Sequence, residues 1–239
     1  MTSLNDWFRA NKMTLNTDKT SFPIFKSNRL TIPNLPTQIE FLNTKIQRSS
    51  QIKFLGLTLD ENLSWEYHIN NVCNKLKSLF HIFYNIREYL RNQDIITLYY
   101  TLIYSRIKYG ISLYGQAAEN KIKKVQILQN QLLKVITKKP FRYNTDILHN
   151  ELEILKVKEI SFQEILIFVH NYFSNSLPSV FDNYFLHFNH NYNARNAALS
   201  FRQEAHHTQM AAQSVKILGV KLWNRIENSL KKIPNRKSF

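Results

Sequence analysis

The chain has 239 residues, enough for one or two domains with a real core, and its apolar and aromatic content excludes a disordered polymer. Four glycines leave no Gly-rich phosphate loop, and a lone Cys73 excludes a disulfide framework or a cysteine-rich zinc site. Lys and Arg outnumber Asp and Glu by 32 to 17, a net charge of +15; such an excess fits a protein that meets a polyanion, and equally a basic chain with solvated lysines. Residues 1–60 carry 8 basic and 4 acidic side chains, residues 61–143 carry 13 and 5, and residues 144–239 carry 11 and 8, so the excess peaks in the middle third.

Residues 3–12 read as a short helix with Leu4, Trp7 and Phe8 on one face and Ser3 as its cap. Thr20 to Phe25 reads as a strand that Pro23 marks as an edge or bulge. Arg29 to Leu42 suggests small strands and turns, and Ile52 to Leu59 is the clearest strand. A tight turn at Asp60-Glu61-Asn62 follows, and the Asp60-Glu61 pair is expected to shape it. From Ser64, a plausible N-cap, the apolar period changes from two to 3.6. Trp65, Ile69, Val72, Leu76, Leu79, Phe80, Phe83 and Ile86 then keep helical spacing over about six turns.

A second helix is expected from Asn92 to Leu113, with Ile95, Leu98, Tyr99, Leu102 and Ile103 inward, and a third from Glu119 to Thr137, ending before Pro140. Short connections between them argue for a small bundle. Asp146 to Glu151 and Lys158 to Phe173 read as further helices, and residues 182–210 as irregular. A last helix includes Leu222, Trp223, Ile226 and Leu230. No stretch is long and apolar enough to span a bilayer, and the N-terminus lacks a signal-peptide core. The expectation is a soluble nuclear or cytoplasmic protein with no membrane partner.

At 100° per residue, Lys123, Lys124, Lys134 and Lys138 fall on one face of the third helix, opposite Ile122, Val125, Leu128, Leu132 and Ile136. Lys139 and Arg142 extend that positive face beyond the helix end. It is either a solvated helix face or a phosphate contact. Tyr99, Tyr100 and Tyr104 could stack on bases, although Tyr99 lies on the core side. His187, His190, His206 and His207 lack cysteine or acidic partners, and no metal site is expected.

Several segments, in order, resemble the reverse transcriptases of non-LTR retrotransposons, the Jockey and chicken-repeat groups in particular. Trp7-Phe8 followed by Asn11-Lys12-Met13-Thr14-Leu15-Asn16-Thr17-Asp18-Lys19-Thr20 is similar to motif D of the palm, with Met13 where Leu is usual. Lys53-Phe54-Leu55-Gly56 resembles the primer grip, and the run from Leu98 to Gly110 a thumb-helix signature. Leu128-Gln129-Asn130, the His190 to Arg195 element and the terminal Leu222-Trp223-Asn224 continue the order, with Ala194 where Thr is usual.

The resemblance implies an α+β, mainly α fold: a small antiparallel β remnant of a polymerase palm at 1–62, a helical thumb bundle at 63–143, and a helical or irregular C-terminal region at 144–239. It implies that Lys19 is the motif D general acid and that Phe54, Leu55 and Gly56 lie beside the primer backbone. Lys123, Lys124, Lys134, Lys138, Lys139 and Arg142 would then meet nucleic-acid phosphates, with RNA and an RNA–DNA hybrid or primed duplex as partners. Family polymerases take Mg²⁺ on an aspartate of motif A and a Tyr- or Phe-x-Asp-Asp turn. No Asp-Asp pair occurs here, so the expectation is a fragment that needs an upstream palm and fingers, holds no cofactor and does not polymerise alone. A stand-alone basic helical nucleic-acid-binding module, or a structural relic, would share the same surface.

Overall fold

The computed structural model describes residues 2–14, 16, 19–27, 33–41, 44–187 and 199–233. The chain is α+β and mainly helical, and divides into two compact units, Met1–Asn71 and Val72–Phe239. The expected His190 to Arg195 element lies outside the described residues, as do parts of the segments at 29–42 and 182–210.

The first unit opens with helix α1 (Thr2–Ala10) and a three-stranded sheet. Strand β1 (Ser21–Phe22) pairs in parallel with β3 (Thr44–Arg48), which pairs antiparallel with β2 (Gln38–Phe41). β1 is an edge and stops before Pro23, which has no N–H to give a ladder. The segment 52–59, expected as one strand, is instead an antiparallel hairpin of β4 (Gln51–Phe54) and β5 (Leu57–Asp60). Leu55 and Gly56 turn the chain at φ of 46° and 82°; positive φ at both central residues is the condition for the two-residue turn that matches strand twist.

Helix α2 (Glu66–Lys77) leaves the turn after β5. Asp60 shapes that turn: Oδ1 accepts from the amides of Asn62 (3.2 Å) and Ser64 (3.0 Å), and Oδ2 from the Trp65 amide (3.0 Å) and Ser64 Oγ (3.2 Å). With Leu63 and Trp65 at φ of 49° and 63°, the entry to α2 is held by this carboxylate more than by the expected Ser64 cap, whose Oγ accepts from Glu66 N at 3.4 Å. Glu61 bonds Arg48 (2.6 Å) and lies 3.8 Å from Lys26, tying the turn back to the sheet. The Thr58 amide donates to His68 Nδ1, and Asn71 Nδ2 to Thr58 Oγ1, fastening the start of α2 to the hairpin.

The expected six-turn helix breaks at Ser78, where α3 (Leu79–Ile86) begins, followed by a 3₁₀ turn at Arg87–Tyr89. The second long helix is likewise segmented: α4 (Asn92–Leu98), a π-helical stretch Tyr99–Tyr104, α5 (Ser105–Lys108) and α6 (Ile111–Tyr114). Ile95, Tyr99, Ile103, Ile107 and Ile111 are buried along it at a spacing of four. That repeat drifts off one face of a 3.6-residue helix, and the wider i→i+5 turn of the π segment brings it back into line. Gly110, at φ 72°, makes the break before α6.

Helix α7 (Glu119–Ile136) packs on α3, α8 spans Thr145–Glu151, and α9 (Val157–Phe173) contacts α5, α6 and α7 as well as α11 (Val215–Arg225). A helix with neighbours on both sides must be apolar around most of its girth, as α9 is. Between α7 and the segment before α9 lies a buried polar network. Gln129 Nε2 donates to Tyr99 Oη (2.8 Å) and the Leu155 carbonyl (2.9 Å), while its Oε1 accepts from Gln126 Nε2 (2.9 Å). Gln126 Oε1 accepts from the Val157 amide at 2.8 Å. The Leu128-Gln129-Asn130 signature is thus a core device, as is Tyr99, whose phenol burial pushes far above its ordinary range.

On the other side of α9, Val169, Phe185, Phe201, Val220 and Trp223 form a second core cluster. Strands β6 (Leu186–His187) and β7 (Phe201–Arg202) pair within the segment expected to be irregular, and the short helix α10 (Gln209–Ala212) follows and contacts α11. Trp223 Nε1 donates to the Leu199 carbonyl, and Asn224 clips both backbone groups of Phe201 at 3.1 and 2.8 Å. The Leu222-Trp223-Asn224 run therefore fills a core and holds a strand. The expected last helix divides, with Leu230 in α12 (Asn228–Lys231).

Candidate nucleic-acid interface

The β4–β5 hairpin ends in apolar side chains that face solvent. Phe54 is 59% exposed and Leu55 75%, and Gly56 beside them supplies both the positive φ and a backbone without Cβ. A Leu at positive φ costs about 1–2 kcal/mol, and leaving Phe54 and Leu55 in water forgoes about 1.5–3 kcal/mol each. The tip is thus a strained turn with two apolar side chains turned to solvent.

The second surface is α7. Ile122, Val125, Leu128, Leu132 and Ile136 are buried as the wheel predicts. Lys123 and Lys124 are exposed on the opposite face. Burial raises the pKa of the Cys73 thiol in α2, against the pull of Lys77 at the end of that helix and of Lys124 in α7. The helical wheel of α7 could not link Lys124 to Cys73 of α2, because only packing brings the two within electrostatic reach.

Lys134, Lys138 and Lys139 each have a protein partner. Lys134 Nζ donates to the Phe141 carbonyl (2.6 Å). Lys138 lies beyond the helix, at φ 57°, off the wheel that placed it with Lys123, and pairs with Glu88 at 3.0 Å. That bond holds the Glu88 carboxyl below the usual carboxylate range. Lys139 lies 3.8 Å from Glu151 and 4.5 Å over the Tyr143 ring. Arg142 is exposed. The ion pairs lie at the surface and are of modest worth; they join the loop after α7 to the 3₁₀ turn and to α8.

Lys19 is exposed in the loop before β1, its amide donating to Asn16 Oδ1 at 3.2 Å. Tyr99 is fully buried, whereas Tyr100 is 44% exposed and Tyr104 half-buried under Lys108. Among the described residues no three His, Cys, Asp or Glu side chains converge on a metal-sized site, and Asp60 and Glu61 are already committed to backbone and cations. These residues do not fit a pair of Mg²⁺ ions. No helix among the described residues is long and apolar enough to cross a membrane.

Curated proteins that align with the chain include three from Drosophila melanogaster. The probable RNA-directed DNA polymerase from transposon BS of Drosophila melanogaster is 27% identical over 165 residues, covering 66% of this chain and 18% of that protein. The corresponding polymerase from transposon X-element of the same organism is 26% identical over 156 residues, covering 64% and 17%. The RNA-directed DNA polymerase from its mobile element jockey is 28% identical over 120 residues, covering 48% and 13%. The chain thus spans less than a fifth of the length of these relatives. No family model and no solved structure matches it.

Proposed function

We propose, from the premise that this chain is related to the RNA-directed DNA polymerases of non-LTR retrotransposons, that it holds a template–primer duplex as the primer-grip and thumb portion of such an enzyme. The observation that carries this reading is the hairpin tip, where Phe54 and Leu55 face solvent at a turn that Gly56 makes possible. In this role the tip lies against the primer backbone. Lys123, Lys124 and Arg142 meet phosphates, with Lys134, Lys138 and Lys139 shaping the loop that carries Arg142. An RNA–DNA hybrid is held by shape and backbone charge rather than by base sequence.

The 239 residues contain no Asp-Asp pair, so the chain grips a primer end without extending it. Mg²⁺ belongs to carboxylates supplied by a palm upstream, and Lys19 acts as a proton donor only in their company. A nuclear or cytoplasmic location goes with this role.

The test is fluorescence anisotropy with a primed RNA–DNA duplex at about 50 mM salt. Micromolar or tighter binding is expected, falling steeply as salt rises. Lys123→Gln with Lys124→Gln should reduce the slope by about 0.7–0.9 log units for each phosphate that is no longer neutralised. Absence of binding at low salt sinks the reading. Templated extension by the purified chain with dNTPs and Mg²⁺ sinks the claim that it does not polymerise alone.

A further inference from the structure

The three most exposed aromatic rings among the described residues are Tyr89 at 85%, Phe141 at 79% and Tyr84 at 60%. They gather at one end of the helical unit. Tyr84 sits in the last turn of α3, Tyr89 in the 3₁₀ turn after it, and Phe141 in the loop after α7. α3 packs on α7, and the Lys138–Glu88 bond, 3.0 Å long, joins the 3₁₀ turn to the loop.

Phe141 and Tyr84 are held by neighbouring cations. Lys134 anchors the Phe141 carbonyl at 2.6 Å and lies 5.6 Å from the ring centroid. The Tyr143 amide closes a turn on the Pro140 carbonyl, and the Tyr143 hydroxyl donates to Glu151. The Arg87 guanidinium covers one face of Tyr84 at 3.9 Å. Charge at this end favours an anion: Lys138 and Arg87 share the one carboxylate of Glu88, at 3.0 and 3.4 Å. Arg142, next to Phe141, forms no ion pair among the described residues.

We propose that this end of the unit binds an unpaired nucleic-acid strand, with bases stacking on Phe141, Tyr89 and Tyr84 and phosphates meeting Arg142 and its neighbours. Open aromatic faces alternating with cations suit a single strand, because every base offers a π-face and every linkage a charge. A duplex hides those faces. The inference rests on the template–primer reading above and adds to it a site for template that is not yet paired.

The test uses the full chain with labelled oligo(dT), oligo(U) and a blunt duplex in anisotropy. Phe141→Ala and Tyr89→Ala should each weaken single-strand binding about tenfold, leaving duplex affinity and the salt slope unchanged. Phe141→Trp should restore binding, and Tyr109→Ala, an exposed ring elsewhere in the unit, should change nothing. Arg142→Gln should lower the single-strand salt slope by about 0.7 log units. The oligo(U) and oligo(dT) arms distinguish an RNA template from a DNA strand. Unchanged strand binding by a Phe141→Ala/Tyr89→Ala variant that keeps the wild-type circular dichroism and melting overturns the proposal. So does capture by anionic vesicles, through the same rings, that oligo(dT) does not compete away. A wild-type chain that binds duplex but no strand overturns this inference alone, and one that binds neither overturns the template–primer reading as well.

Discussion

In the first unit one carboxylate closes the structure: Asp60 gathers three amides and a hydroxyl, and Glu61 ties the same turn to Arg48 and Lys26. In the second, fully buried apolar side chains run from Leu76 through Val125 to Trp223, and α9 has helices on both sides. Among the described residues of the first unit the buried apolar side chains are fewer: Phe41, Ile46, Leu57 and Ile69. The contrast teaches that the hairpin tip is positioned by polar bonds around one turn, whereas the aromatic and cationic surfaces of the helical unit ride on a packed core. Hydrogen exchange should therefore be faster across residues 1–60 than across α7 and α9.

The largest expected loss is that of Asp60→Ala. It strands three amides and a hydroxyl in a site where Asp60 is only 5% exposed. A hydrogen bond to a charged group contributes about 1.5–3 kcal/mol, and with some relaxation the loss should be about 4 kcal/mol. Hydrogen exchange read by mass spectrometry should show β4, β5 and the first turn of α2 deprotected while α7 and α9 keep wild-type protection. Equal deprotection of both units would mean that the turn is not an independent support.

The helical unit should respond to a polar deletion more mildly. Gln129→Ala removes the donor to Tyr99 Oη and Leu155 O and the acceptor for Gln126, a loss of about 2–3 kcal/mol by urea unfolding. A double-mutant cycle with Tyr99→Phe should give a coupling of about 1 kcal/mol. Additive effects would show that the amide and the phenol act separately. The hairpin amides should be unaffected.

How far these features are legible in the sequence follows from what each depends on. The ends of α7, α8 and α9 agree with the apolar periodicity to within a residue or so, because each helix lays one stripe or more on a core and ends where the pattern ends. The hairpin reads as one strand because its turn is Leu-Gly; the pattern that announces such turns has Asn or Asp before the Gly. The π segment leaves its trace in the four-residue spacing from Ile95 to Ile107, which a 3.6-residue template smooths away. Among the candidate cations, the wheel places Lys123 and Lys124 correctly on the exposed face. It cannot show that Lys138 meets Glu88, fifty residues earlier. Phe141 is hard to single out because an aromatic just past a helix end reads as core until its exposure is known.

The smallest expected effect tests why Leu55 is where it is. At φ 46° a Leu is strained, and at 75% exposure it gains little from burial. Asn accepts positive φ, and Asn-Gly is the favoured pair for this kind of turn, so Leu55→Asn should stabilise the first unit by about 1 kcal/mol. If the tip is a primer contact, the same change should weaken template–primer binding severalfold while the hairpin becomes more stable. The two readouts then move in opposite directions, as expected where a site keeps strain for the sake of contact. A variant that gains stability and keeps full affinity would remove Leu55 from the interface. One that loses affinity without gaining stability would leave the primer contact standing and show that the turn tolerates Leu at no cost.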